Sequence, residues 1–164
     1  VGPIASYAEV GCPLWGLLRH AKSAGCRAIY LCRTEPNYWS TGCRRDGMHC
    51  VDRLVALAGI PTADWDDPQT WKYDLIGAFQ YLDHLDAPGR FVDCLFQRAR
   101  AVAFILDAVD TPVAIQHLTG WTPEAMMWVA KRYGCRMHAE FTDIHSSGNR
   151  LFLLVRTDLG PSHT

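Results

Sequence analysis

YAEVGCPLWGLLRHAKSAGC, residues 7 to 26, starts with the composition of a β-strand and breaks at Gly11. It resumes with Leu14, Leu17, Leu18 and Ala21 at helical spacing. Gly25 is placed to stop that helix. The strand reading extends over residues 4–10, IASYAEV, so the stretch predicts strand, glycine turn and helix in succession. A turn of that kind between a strand and a helix brings backbone close to whatever lies beyond the strand end, and Gly11 supplies the freedom for it because it has no Cβ.

Working outward, CRAIYLC at 26–32 is a near-continuous apolar run of strand length, the pattern of a strand covered on both faces in a parallel sheet. It ends at Thr34, Glu35, Pro36 and Asn37, and a helix is expected from Tyr38 to Arg45. MHCV, 48–51, reads as a third strand, while HCVDRLVALAG, 49–59, reads almost as well as a helix, and periodicity leaves both open. DWDDPQTW, 64–71, is a polar, turn-rich connection. YDLIGAF, 73–79, has the composition of a central strand. RFVDCLFQRARAVAFILDAV, 90–109, predicts a buried helix, with a strand in its second half as the alternative. VAIQH, 113–117, is a further short strand candidate. Thr122 caps and Pro123 opens a helix that should stop near Gly134. RMHAEFT and RLFLLVR, on either side of residues 146–149, predict a hairpin.

The 164 residues, 49% hydrophobic and 20% charged, suit a single domain with a substantial core. A formal net charge of -1 provides no basic field, which argues against nonspecific nucleic-acid binding. No apolar run reaches the roughly 18 residues of a membrane span, and no charged-then-apolar leader opens the chain, so a cytoplasmic protein is expected. Seven cysteines without a framework predict reduced, buried thiols. A zinc site from Cys26, Cys32, Cys43 and Cys50 lacks the closely spaced pair that would anchor it.

Strands alternating with helices and closing in a hairpin predict an α/β fold, an open and mostly parallel sheet with an antiparallel end. Ligands of such sheets sit beyond the C-terminal strand ends. That rule selects Glu9 to Gly16, Glu35 to Asn37, Phe79 to His84, and His117 to Trp121.

At these places the chain resembles the class I S-adenosylmethionine-dependent methyltransferases. YAEVGC is similar to their first strand and glycine loop, and EPN to the ribose-binding acid after the second strand. KYDLIGAFQYLDHLDAP is similar to the fourth strand and its Glu-His-Leu turn, with Asp83 standing where the family has glutamate. HLTGWTPEAMMWVAKRYGCR followed by NRLFLLVR resembles the fifth strand exit, the last helix and the closing hairpin. The resemblance implies a three-layer Rossmann-like sheet over one domain, residues 1–164, and S-adenosylmethionine as cofactor. It implies a cofactor site built from Glu9, Gly11, Cys12 and Gly16, from Glu35 and Asn37, and from Phe79 and Gln80. Glu9 would face the cofactor's amino group and Glu35 its ribose hydroxyls. His84 and His117 are the implied bases for an oxygen or nitrogen acceptor.

The chain departs from the family in its loop. Pro13 and Trp15 stand at two positions where glycine is common, and Gly16 follows one place late. Proline removes a donor and tryptophan fills space, so the loop either holds the cofactor through Gly16 on a shifted backbone or has lost it. The second outcome would leave an inactive methyltransferase-like subunit serving as a binding or scaffold partner. The sequence begins almost on its first strand, without lid helices and without an initiating Met. That predicts a large acceptor, one presented by a partner protein, or a fragment of a longer chain. Two unrelated readings also compete. Residues 113–134 with the hairpin read as a winged helix-turn-helix, although Lys131 and Arg132 are the basic groups on its recognition face. Cys12 or Cys50 with His138 would make a thiol hydrolase.

Overall fold

In the computed structural model the described residues are 3–11, 15–32, 59–64, 72–79, 81–85, 87–106, 120–142 and 149–157. The opening stretch forms strand β1 (Ser6–Gly11), helix α1 (Trp15–Ser23) and strand β2 (Arg27–Cys32). β1 and β2 run parallel, with Ala8 opposite Ile29 and Val10 opposite Leu31. Gly25, at φ 83°, makes the left-handed turn that stops α1, a backbone conformation glycine adopts without Cβ strain.

β3 (Thr62–Asp64) lies parallel to β2 on its outer side, and β4 (Tyr73–Phe79) lies parallel to β1 on the other. Helix α2 (Pro88–Arg98) leads into β5 (Ala99–Leu106), which is parallel to β4. Helix α3 (Pro123–Arg132) leads through Gly134, at φ 62°, into β6 (Cys135–Thr142). β7 (Asn149–Arg156) returns antiparallel to β6 and inserts between it and β5, again antiparallel. The sheet order is β3-β2-β1-β4-β5-β7-β6. The expected mostly parallel α/β sheet with a C-terminal antiparallel hairpin is what the chain forms.

Strand alternation distributes side chains to two covered faces. On one face Ala8, Val10, Ile29, Ile76, Ala78, Val102, Phe104 and Phe152 meet Phe91, Val92, Leu95 and Phe96 of α2 and Met126, Val129 and Ala130 of α3. On the other, Tyr7 and Ala28 pack against Leu18 of α1 and Ile60, while Phe79, Ala103 and Ile105 gather separately with half-buried Leu151 and Leu153. Helices on both faces give three layers.

Three expectations change. Residues 90–109 are not one buried helix: α2 ends at Arg98 and β5 occupies the second half, the alternative reading. Ala99 is both the helix cap, donating its N–H to the Leu95 carbonyl, and the first strand residue, so no Gly or Pro marks the boundary. The strand beside β2 is Thr62–Asp64, too short for any periodicity to reveal, and both readings of 48–58 lie outside the described residues. The hairpin is no free wing, because β7 pairs with β5 along Ala101–Leu106 and makes the hairpin part of the sheet. The helix at Tyr38–Arg45 and the strand VAIQH also fall outside the described residues.

Candidate functional site

The parallel strands all end on one rim, at Gly11, Cys32, Asp64, Phe79 and Leu106. From β1 the chain proceeds outward to β2 and β3 on one side, then returns to place β4 and β5 on the other. The strand order therefore reverses between β1 and β4, and this switch point is where open α/β sheets form a ligand crevice. Gly11 and Phe79 are register partners there, and Phe79 is in turn paired with Ile105.

One step below the rim, Glu9 is opposite Gly77 and completely buried. Its Oε2 accepts a 2.7 Å hydrogen bond from the Tyr7 hydroxyl. A buried carboxylate is costly without such donors. Burial, and then the Glu9 carboxylate, push the Tyr7 phenol far above its ordinary range, so it remains an O–H donor at any pH the folded chain would meet. Gly77 is what admits this arrangement. A Cβ there would lie 2.7 Å from the Tyr7 hydroxyl and 2.8 Å from two ring carbons of Phe79. Tyr7, Glu9, Gly77 and Phe79 thus form one contiguous cluster across β1 and β4.

Beyond β4, a single 3₁₀ turn, Leu82–His84, follows Tyr81 and is closed by the Leu85 N–H on the Leu82 carbonyl. Asp83 is buried in this turn, and the Tyr81 ring packs on Phe91 of α2 at 5.1 Å between centroids. The segment leaving the fourth strand is therefore held against the body of the molecule.

Among the sequence-predicted site residues, Glu9, Gly11 and Phe79 come together on the β1–β4 rim. Gly16 lies in the first turn of α1, directly after Trp15, and His84 is the last residue of the 3₁₀ turn. Cys12, Pro13, Glu35, Asn37, Gln80 and His117 lie outside the described residues. The fifth parallel strand is described to Leu106, and Trp121 leads into the Thr122 cap of α3. Tyr7 and Gly77 were not anticipated. Strand alternation carries the signal for both, since Tyr7 shares a face with Glu9, and Gly77 is the glycine inside an otherwise bulky strand.

No group of three or more metal-ligating side chains occurs among the described residues, where Cys26 donates its thiol hydrogen to the Ile4 carbonyl at 2.9 Å. Cys12 and Cys50 of the thiol-hydrolase reading are not described, and His138 is exposed on β6. No described helix is long and apolar enough to cross a membrane.

No protein-family model and no curated protein matches the chain by sequence. Solved structures do match it. The methyltransferase domain of a bacterial Hen1 protein superposes with a TM-score of 0.61 at 19% identity, covering 93% of this chain and 90% of that one. Magnesium protoporphyrin IX methyltransferase from Synechocystis PCC 6803, solved with bound S-adenosylhomocysteine, gives a TM-score of 0.63 at 14% identity over 92% and 73%. A complex between the Haloferax volcanii Trm112 methyltransferase activator and a protein described as a methyltransferase gives 0.66 at 10% identity over 96% and 84%. At such identities the likeness is one of fold: this chain has a class I methyltransferase fold.

Proposed function

We propose that the chain is an S-adenosylmethionine-dependent methyltransferase. The observation that carries this is the convergence of Glu9, Gly11 and Phe79 at the switch point of a sheet with this fold. The residues present there suit the cofactor's parts. A buried carboxylate below the rim matches its cationic amino end, a glycine at the strand end admits close approach, and an aromatic ring matches an adenine or thioether surface. Glu35 and Asn37 after β2 are assigned to the ribose, and Cys12, Gly16 and Gln80 to the surrounding wall.

The cofactor supplies an electrophilic methyl group, so the protein's work is alignment and the removal of one proton. His84, in the turn held against α2, is assigned the proton of an oxygen or nitrogen acceptor, and His117 is the second candidate. The acceptor is unassigned. Among the structural neighbours one is named for magnesium protoporphyrin IX and another is bound to an activator protein, the latter in keeping with an acceptor presented by a partner.

Calorimetric titration with S-adenosylmethionine and S-adenosylhomocysteine tests the reading. Both should bind the wild-type chain, and Glu35→Ala should weaken both about tenfold or more through loss of charge-assisted hydrogen bonds. Absence of binding in the wild type would overturn it in favour of a cofactor-free subunit, the reading that Pro13 and Trp15 support. Unchanged affinity in Glu35→Ala would remove the ribose assignment alone.

A further inference from the structure

Tyr7 lies one full strand period back from Glu9, on the same face and away from the rim, yet its hydroxyl reaches forward to the Glu9 carboxylate. It reaches by crossing over Gly77, the position where any Cβ would strike that hydroxyl and the Phe79 ring together. Tyr7 is itself buried, and its ring is fixed by Leu18, Ala28 and Ile60. The phenol oxygen is thus held from below by core packing and from the side by the bare backbone of β4. A side chain fixed at both ends defines where its partner's oxygen must be.

We infer that Tyr7 is a positioning residue for the cofactor: seated over Gly77, its hydroxyl orients the Glu9 carboxylate toward the cationic amino group of a ligand at the β1–β4 rim. The inference rests on the cofactor reading above and adds the device that makes Glu9 serviceable. Glu9 is shielded from water, so its attraction for a cation at the rim is not diluted by solvent. Tyr7 supplies a hydrogen bond to it without a countercharge of its own, which fixes the carboxylate while leaving its negative charge for the ligand. Gly77 enters as part of the same device, because a side chain there would unseat Tyr7.

The test is a double-mutant cycle on ligand affinity in the full chain, using S-adenosylhomocysteine, which has the amino-acid end, and 5′-methylthioadenosine, which lacks it. Tyr7→Phe should weaken S-adenosylhomocysteine about tenfold to a hundredfold, the range of one hydrogen bond to a charged group. It should leave 5′-methylthioadenosine unchanged. In a Glu9→Gln background the same Tyr7→Phe change should cost almost nothing, because Tyr7 acts through the charge that has been removed. Losses that simply add, or a Tyr7→Phe loss equal for both ligands, would show a merely structural tyrosine and overturn the inference while the cofactor reading stands. A wild-type chain that binds 5′-methylthioadenosine and S-adenosylhomocysteine equally overturns it as well. A wild type that binds neither overturns both readings. Gly77→Ala, which keeps the hydroxyl but displaces it, is the second variant, and wild-type affinity for S-adenosylhomocysteine in that variant is equally fatal.

Discussion

At the scale of single residues, Asp74 shows how a polar side chain ties distant segments. Its Oδ2 accepts the backbone N–H groups of Ala5 and Ser6, each at 2.9 Å, and the Ser6 hydroxyl at 3.1 Å, while its own N–H donates to Ser6 Oγ at 3.0 Å. Burial alone would raise its pKa. The N–H groups of Ala5 and Ser6, the Ser6 hydroxyl and Arg100 outweigh burial and hold the carboxyl below its ordinary value. A carboxyl depressed by folding contributes stability above its unfolded pKa, near ~3.9, and loses it as pH falls through the lower folded value. Acid unfolding monitored by circular dichroism should therefore show a decline below about pH 4 that is shallower in Asp74→Ala. At neutral pH the same variant should be about 1–3 kcal/mol less stable in urea. The exposed Arg100 partner adds little, and Arg100→Ala should be close to neutral by the same measurement.

At the scale of elements, α3 owes its start to Thr122, whose Oγ1 accepts the Ala125 N–H at 3.1 Å ahead of Pro123. Thr122→Ala should cost about 1 kcal/mol in thermal or chemical unfolding, and Thr122→Ser much less. The other end of α3 is tied to α2. Tyr133 stacks on Phe96 with 4.4 Å between centroids and donates its hydroxyl to Asp93, which also lies 3.7 Å from Arg132. Asp93→Ala should loosen the two helices and raise amide exchange in the last turn of α3. The exposed edge strand β6 carries Phe141, 74% exposed, with the Arg150 guanidinium 4.8 Å above its ring, a charge set beside an apolar edge.

The elements divide by how local their causes are. The Thr122 cap, the Gly25 and Gly134 stops and the two halves of the hairpin are written in neighbouring residues and could be read from them. The α2–β5 boundary could not be placed, because Arg98 and Ala99 carry no punctuation and both halves are apolar at spacings that fit either structure. β3 was missed because a three-residue strand exists through its neighbour β2, not through its own pattern. The rim residues Glu9, Gly11 and Phe79 were legible because strand ends are local features, whereas the Tyr7–Gly77 contact needs the lateral pairing of β1 with β4.

Over the whole molecule, the two sheet faces are unequal. One continuous core joins α2, α3 and most of the strands, while the opposite face holds two separate clusters. Phe104 and Phe152, register partners of β5 and β7, are fully buried at the middle of the large core. Phe104→Ala should cost about 3–5 kcal/mol and lower the single unfolding midpoint for all probes together. Truncation of half-buried Leu153 on the other face should cost well under that.

The shared identity of Ala99 as last hydrogen-bonded position of a helix and first rung of a strand has a mechanical outcome. Nothing at that junction can absorb a change in chain length. A single residue inserted after Arg98 would advance β5 by one step, sending Phe104 and Val102 to the side where Ala103 and Ile105 now point. Helix and strand are geared to one another there, and the phase of the central β5 side chains is set by where α2 stops.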